Sequence, residues 1–189
     1  AIDAYGAATR IDNIAFMPAM SLSMAASALT GQNLGAQKPE RVKDIFKWGI
    51  IMTTVITVAI SLLAVSIPRL LLSMFGLSGD VEVMNIGVSY LRVVGATYIL
   101  FAIMFVSNGI INGAGHTMIT MLFSLFSIWI VRVSLAYVLS RYTKLGLTGI
   151  WIAIITSFAI VMTISLIYYF SGRWKKAVIK TGKPVLQSE

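Results

Sequence analysis

Cysteine is missing from this chain altogether, which excludes disulfides and thiolate metal sites but says little about compartment. Histidine occurs once, at His116, so no His-Glu-x-x-His metal motif can be built. The chain also has no Gly-rich phosphate loop and no nucleophile elbow, and it reads as no enzyme, with no cofactor and no metal. Charge is scarce: Asp, Glu, Lys and Arg make up 12% of the residues, against roughly a quarter in soluble domains. Acids are scarcest, with only Asp3, Asp12, Glu40, Asp44, Asp80, Glu82 and Glu189. Of these, Asp12 alone is placed to lie at depth in a membrane; Glu40, Asp44, Asp80, Glu82 and Glu189 fall in loops, helix ends or the tail.

What fills the space is apolar. No charge interrupts 13–37, 48–67, 93–115 or 145–172, and 117–140 carries only Arg132. A helix needs about 20 apolar residues to cross the hydrocarbon, and one charge is tolerable if it faces protein or snorkels. The expectation is an all-α membrane protein with five transmembrane helices, over about 2–31, 41–67, 83–113, 117–140 and 147–170. These form one unit, 1–172, followed by a basic tail, 173–189.

The net charge of +8 does not point to nucleic acid, because the basic residues sit in loops and the tail and form no stripe. Lys38, Arg41, Lys43 and Lys47 follow the first span, and Arg173, Lys175, Lys176, Lys180 and Lys183 follow the fifth. Five alternating spans put both groups on one side, cytoplasmic by the positive-inside rule. The expected localisation is a multi-pass protein of the cytoplasmic membrane with its C-terminus inside. Ala1-Ile2-Asp3-Ala4-Tyr5-Gly6 has no basic n-region or cleavage site, so it is no signal peptide. An odd helix count entering from outside gives the expectation of a further span upstream.

Within the first helix, Pro18 removes an amide donor and predicts a bend, and the small residues Ser21 to Ala28 permit close approach of a neighbour. Pro68 ends the second helix. Leu70 to Leu77 reads as a short interfacial helix, and Ser78-Gly79-Asp80 as a turn. The short connections after the third and fourth helices predict antiparallel neighbours. Gly31-Gln32-Asn33-Leu34-Gly35-Ala36, read as a turn, and Gly109-Ile110-Ile111-Asn112-Gly113-Ala114 share a Gly-x-x-x-Gly-Ala frame, so Gly31, Gly35, Gly109 and Gly113 are candidates for close helix packing.

The stretch from Phe16-Met17-Pro18-Ala19-Met20-Ser21-Leu22 to Gly31-Gln32-Asn33-Leu34-Gly35-Ala36, with Pro39-Glu40-Arg41 after it, resembles the C-terminal half of the multidrug and toxic compound extrusion (MATE) family. Phe75 to Tyr90-Leu91-Arg92, Asn112 to Thr117 and Arg132 to Tyr137 resemble family patterns in the same order. The resemblance implies most of one six-helix lobe of a twelve-helix transporter. It also implies partners: the bilayer, an N-terminal lobe of the same protein, and small-molecule drugs or toxins. The function implied is secondary active efflux of lipophilic, often cationic compounds in exchange for H+ or Na+. Some members place a cation-binding acid on the third helix of this set. Here that helix has none, which favours H+ bound in the N-terminal lobe. The alternatives are a lipid-linked oligosaccharide flippase, for which Arg10, Arg92 and Arg132 speak, and a non-transporting truncated fragment.

Counting about 1.5 Å per residue places Asp12 and Arg92 roughly 15 Å, and Arg132 roughly 12 Å, below the outer surface. Arg10 lies slightly nearer that surface. The expectation is a polar layer in which Asp12 pairs with Arg92 or Arg132 and exchanges partners during transport, as against a permanent ion pair or snorkelling arginines. Met17, Met20 and Met104 are candidates for a soft, adaptable drug-facing wall. Asn108, Asn112, Gln32 and Asn33 are expected to hydrogen-bond between helices, and His116 to be solvated in its turn.

Overall fold

The structure is a computed structural model that describes residues 2–75, 81–143 and 146–175. The expected Ser78-Gly79-Asp80 turn lies outside these residues, and the basic tail is described only to Lys175. In chain order the helices are α1 (Ile2–Gly35), α2 (Arg41–Ser66), α3 (Pro68–Met74), α4 (Val81–Gly95), α5 (Tyr98–Gly113), α6 (Thr117–Leu125), α7 (Val133–Tyr142) and α8 (Leu147–Phe170). A π-helical segment, Phe126–Arg132, joins α6 to α7, and a 3-10 turn, Arg173–Lys175, follows α8. Counting α4 and α5 as one broken span, five spans are long and apolar enough to cross a membrane among the described residues.

Three expectations are corrected. The first helix does not stop at Gly31 but runs one turn further, through the stretch read as a turn, so that Gly31 and Gly35 are both helical. It ends in a Schellman motif: Lys38 N–H donates to Asn33 O (2.8 Å) and Gln37 N–H to Leu34 O (3.0 Å), with Gln37 at φ 57°. The left-handed position usually given to glycine is held by Gln37, which is why the glycines misplace the boundary. Helix α5 ends in the same way, with His116 N–H on Ile111 O, Gly115 N–H on Asn112 O, and Gly115 at φ 87°. The two Gly-x-x-x-Gly-Ala frames therefore occupy the same register against two equivalent helix ends. Pro18 lies inside α1, which is helical on both sides of it.

The third span is not one helix but a pair bent by 49° between Gly95 and Tyr98. Thr97 turns its hydroxyl back onto Val94 O (2.7 Å), competing with the helical ladder. The Gly95 carbonyl at the break accepts a hydrogen bond from Ser61 of α2 (2.7 Å), which gives that group a partner within the bundle. The fourth span, expected as a plain helix over 117–140, contains the π segment and extends to Tyr142. The fifth span coincides with α8.

Helix α5 sits at the centre, packed on α1, α2 and α8, while α7 pairs with α8. The buried apolar residues form two clusters. A large one centres on Leu91, Tyr98, Phe101 and Trp151. A smaller one, formed by Ala26, Val42, Ile110, Ala114, Tyr169 and Trp174, closes the end that carries the basic turn. There Trp174 donates its indole N–H to Tyr169 O (2.7 Å) and stacks on the Tyr169 ring, which stacks in turn on Phe46. We refer to this as the basic end and to the end with α3 as the far end. Large apolar side chains such as Val55, Leu62, Trp129 and Phe170 stand exposed on the bundle's outside, as expected where the solvent is lipid.

Candidate functional site

Asp12 sits within α1 and is 7% exposed. Both of its oxygens accept a hydrogen bond from a phenol: Tyr90 OH donates to Oδ2 (2.5 Å) and Tyr98 OH to Oδ1 (2.6 Å). Tyr90 is on α4 and Tyr98 opens α5, so the break in the third span has one donor on either side of it. In a straight helix residues eight apart are separated by about 12 Å along the axis; here both hydroxyls reach one carboxylate from the two sides of the bend. Tyr98 is further fixed by edge contacts with Phe16 and Phe101, and Tyr90 by an edge contact with Trp151 of α8.

A cavity of about 190 Å³ opens beside this carboxylate, and Arg132 lies on its wall with Asn13, Phe101 and Phe158. Arg132 donates from Nε to Ser157 Oγ (2.9 Å), and its guanidinium lies 4.4 Å from the Phe158 ring centroid. Ser127 donates to Ser157 O (2.6 Å). Ser127 and Arg132 are five residues apart, the repeat of a π turn rather than an α turn. The π segment thus brings both onto the same residue of α8.

The expected polar layer is only partly assembled. Asp12 and Arg132 share the cavity, while Arg10 and Arg92 are exposed and neither lines it. The physical reason is angular: Arg10 is two residues from Asp12 and Arg92 two from Tyr90, and helical residues two apart do not share a face. Counting depth along a helix cannot supply azimuth. The hydrogen-bond donors on Asp12 include two groups the sequence did not single out, Tyr90 and Tyr98, while Arg132 faces the same cavity. Sequence reasoning missed both tyrosines, although two of them eight residues apart on a span, in a chain with one acid placed at membrane depth, were a usable signal.

The methionines divide. Met20 lines an open groove of about 380 Å³ with Met24, Met121, Asn108 and Asn112. Met17 is 66% exposed and does not line that groove, and Met104 is a core residue rather than a wall residue. Of the amides, Asn108 accepts from Ser165 of α8 and Asn112 from Thr120 of α6. Asn33 instead bonds to Leu29 O of its own helix, and Gln32 is exposed. His116 is half-buried against Tyr168, with Nδ1 3.2 Å from the phenol oxygen, rather than solvated.

The glycines divide as well. A Cβ on Gly109 would fall 2.4 Å from Ser23 O, and one on Gly113 2.2 Å from Ser27 O, so α5 touches the α1 backbone at both. Ser23 also donates to Phe105 O (2.6 Å) across this seam. Gly31 faces Gly113 O at a looser 3.3 Å, and a Cβ on Gly35 would meet nothing within 4 Å among the described residues. Gly35 ends the helix and does not pack it against a neighbour.

Comparison with known proteins follows the same outline. The MatE family model matches residues 1–138. A probable multidrug resistance protein NorM from Thermotoga maritima is 29% identical over 93% of this chain. The chain spans 37% of that relative's length. Two solved structures, the inward-facing and the outward-facing conformation of a multidrug resistance MATE family transporter of the MOP superfamily, share the fold at 19% identity. Each has a TM-score of 0.82; they cover 93% and 90% of this chain, which spans 41% and 38% of theirs. The family match covers most of the chain, and the chain belongs to the MatE family, a family of multi-pass membrane transporters rather than enzymes.

Proposed function

We propose that the chain is the C-terminal lobe of a secondary active multidrug exporter, which expels lipophilic, often cationic compounds against entry of H+ or Na+ by alternating access. The observation that carries this reading is the buried Asp12 carboxylate between two phenols, beside a cavity that also holds Arg132. An ionisable group at membrane depth is costly and is kept where a pathway or a relay needs it. The likeness to both inward- and outward-facing structures at the same TM-score supports a lobe that keeps its packing while it moves against its partner lobe. The basic end, with Lys38, Arg41, Lys43, Lys47 and Arg173, faces the cytoplasm by the positive-inside rule.

A coupling ion shifts a conformational equilibrium only by its differential affinity for the two states. Protonating Asp12 creates such a difference, because a neutral carboxyl accepts less than a carboxylate held between two donors. A proton suits a single carboxylate held between two hydroxyl donors. The principal ion site belongs to the N-terminal lobe, with Asp12 as a responding group here. The groove lined by Met20, Met24 and Met121 is the adaptable face offered to flat lipophilic substrates.

The test is efflux of ethidium from cells expressing the full-length protein. Extrusion should stop when ionophores collapse both the proton and Na+ gradients. Extrusion that continues without either gradient would overturn the proposal.

A further inference from the structure

A cavity of about 680 Å³, larger than the one beside Asp12, lies at the far end, where α2, α3 and α4 meet. Its polar lining is Arg69, Arg92, Asn85, Ser66 and Ser89. No carboxylate lines it among the described residues; Glu82 lies in a neighbouring cavity that shares Asn85 and Ser89. Neither guanidinium makes a hydrogen bond or ion pair to the protein among the described residues. Both arginines are exposed, and two like charges lining one cavity repel each other, a repulsion that an anion seated between them relieves. Its volume is that of a small-molecule site.

Depth identifies the source of that anion. The uncharged stretch between Lys47 and Arg69 is about 30 Å long as a helix, the thickness of the hydrocarbon. Arg69 therefore stands where the phosphates of a leaflet lie, and Arg92 reaches the same cavity from inside the bundle's apolar zone by snorkelling. Beside it, α3 exposes Leu70 (57%) and Met74 (73%), apolar side chains suited to acyl chains. We infer that Arg69 and Arg92 form a headgroup site for an anionic phospholipid of the leaflet at the far end, the phosphodiester accepting from both guanidiniums and from Asn85 or the serines. Guanidinium-phosphate bonds are charge-assisted and directional. A zwitterionic lipid brings a cationic choline toward the same two arginines and is disfavoured.

The test uses purified full-length transporter, stripped of lipid, exposed to equal amounts of phosphatidylglycerol and phosphatidylcholine with the same acyl chains, and read by native mass spectrometry. Phosphatidylglycerol should be retained about tenfold over phosphatidylcholine. The preference should vanish in R69Q/R92Q and weaken in R69K/R92K, which keeps the charge and loses the guanidinium fork. If the glutamine variant fails to fold, Ser89→Trp, which fills the cavity and leaves both charges, should abolish retention instead. Equal retention of the two lipids by the wild type, or an unchanged preference in R69Q/R92Q or in Ser89→Trp, would overturn the inference. Saturable binding of inorganic phosphate without lipid retention, lost in R69Q/R92Q, would also overturn it and assign the site to a free anion.

Discussion

The basic end and the far half of this bundle solve opposite problems with the same helices. At the basic end α5 lies against α1 so closely that backbone meets backbone at Gly109 and Gly113, and Trp174 locks the chain's return onto Tyr169. In the far half the third span breaks, the fourth widens into a π segment, and a carboxylate, two phenols and a guanidinium collect around a cavity. Close packing resists change, because dense interiors transmit strain rather than absorb it. Hydrogen-bonded polar groups beside a cavity can exchange partners at small cost. The difference suggests a lobe held rigid at one end and responsive at the other.

The contrast can be broken most severely at Gly113. Gly113→Val places atoms within the Ser27 backbone and should cost about 3 kcal/mol or more, seen as loss of the monodisperse peak of the full-length protein after brief heating; wild-type melting would show that the seam yields. Next in size, Tyr98→Phe keeps the ring contacts but removes one of the two donors to Asp12, a loss of ~1–3 kcal/mol for a hydrogen bond to a charged group. It should lower efflux more than it lowers the melting temperature, and the reverse order would make Tyr98 a packing residue only. Smallest is Gly35→Ala, which meets open space and should fall within about 0.5 kcal/mol of wild type; a large destabilisation would mean that Gly35 packs after all.

Much of the fold was legible because charge in hydrocarbon is expensive, so uncharged runs mark spans wherever they occur. Helix α8 was read to the residue because Gly146 and Gly172, both at positive φ, bracket an unbroken apolar run. The break in the third span was not legible: Gly95 and Thr97 look ordinary in an apolar run, and the group that bonds the Gly95 carbonyl there is Ser61, thirty-four residues earlier. The π segment carries no local signal either; the bonds made by Ser127 and Arg132 at its two ends go to Ser157, on another helix. At the site, Asp12 stood out by scarcity, and Arg132 by interrupting a span. Their companions were misjudged because opposite charge suggested arginines, while the angular rule that turns Arg10 and Arg92 away was there to be used.

The central claim is that the carboxylate in the far half is a working group of the transport cycle and not a fixture of the core. Asp12→Asn keeps the side chain's size and changes its charge, so it separates these roles when full-length protein is compared at matched expression and matched melting temperature. The account predicts ethidium efflux reduced about tenfold, within the range of conformational coupling energies. Efflux equal to wild type would contradict it.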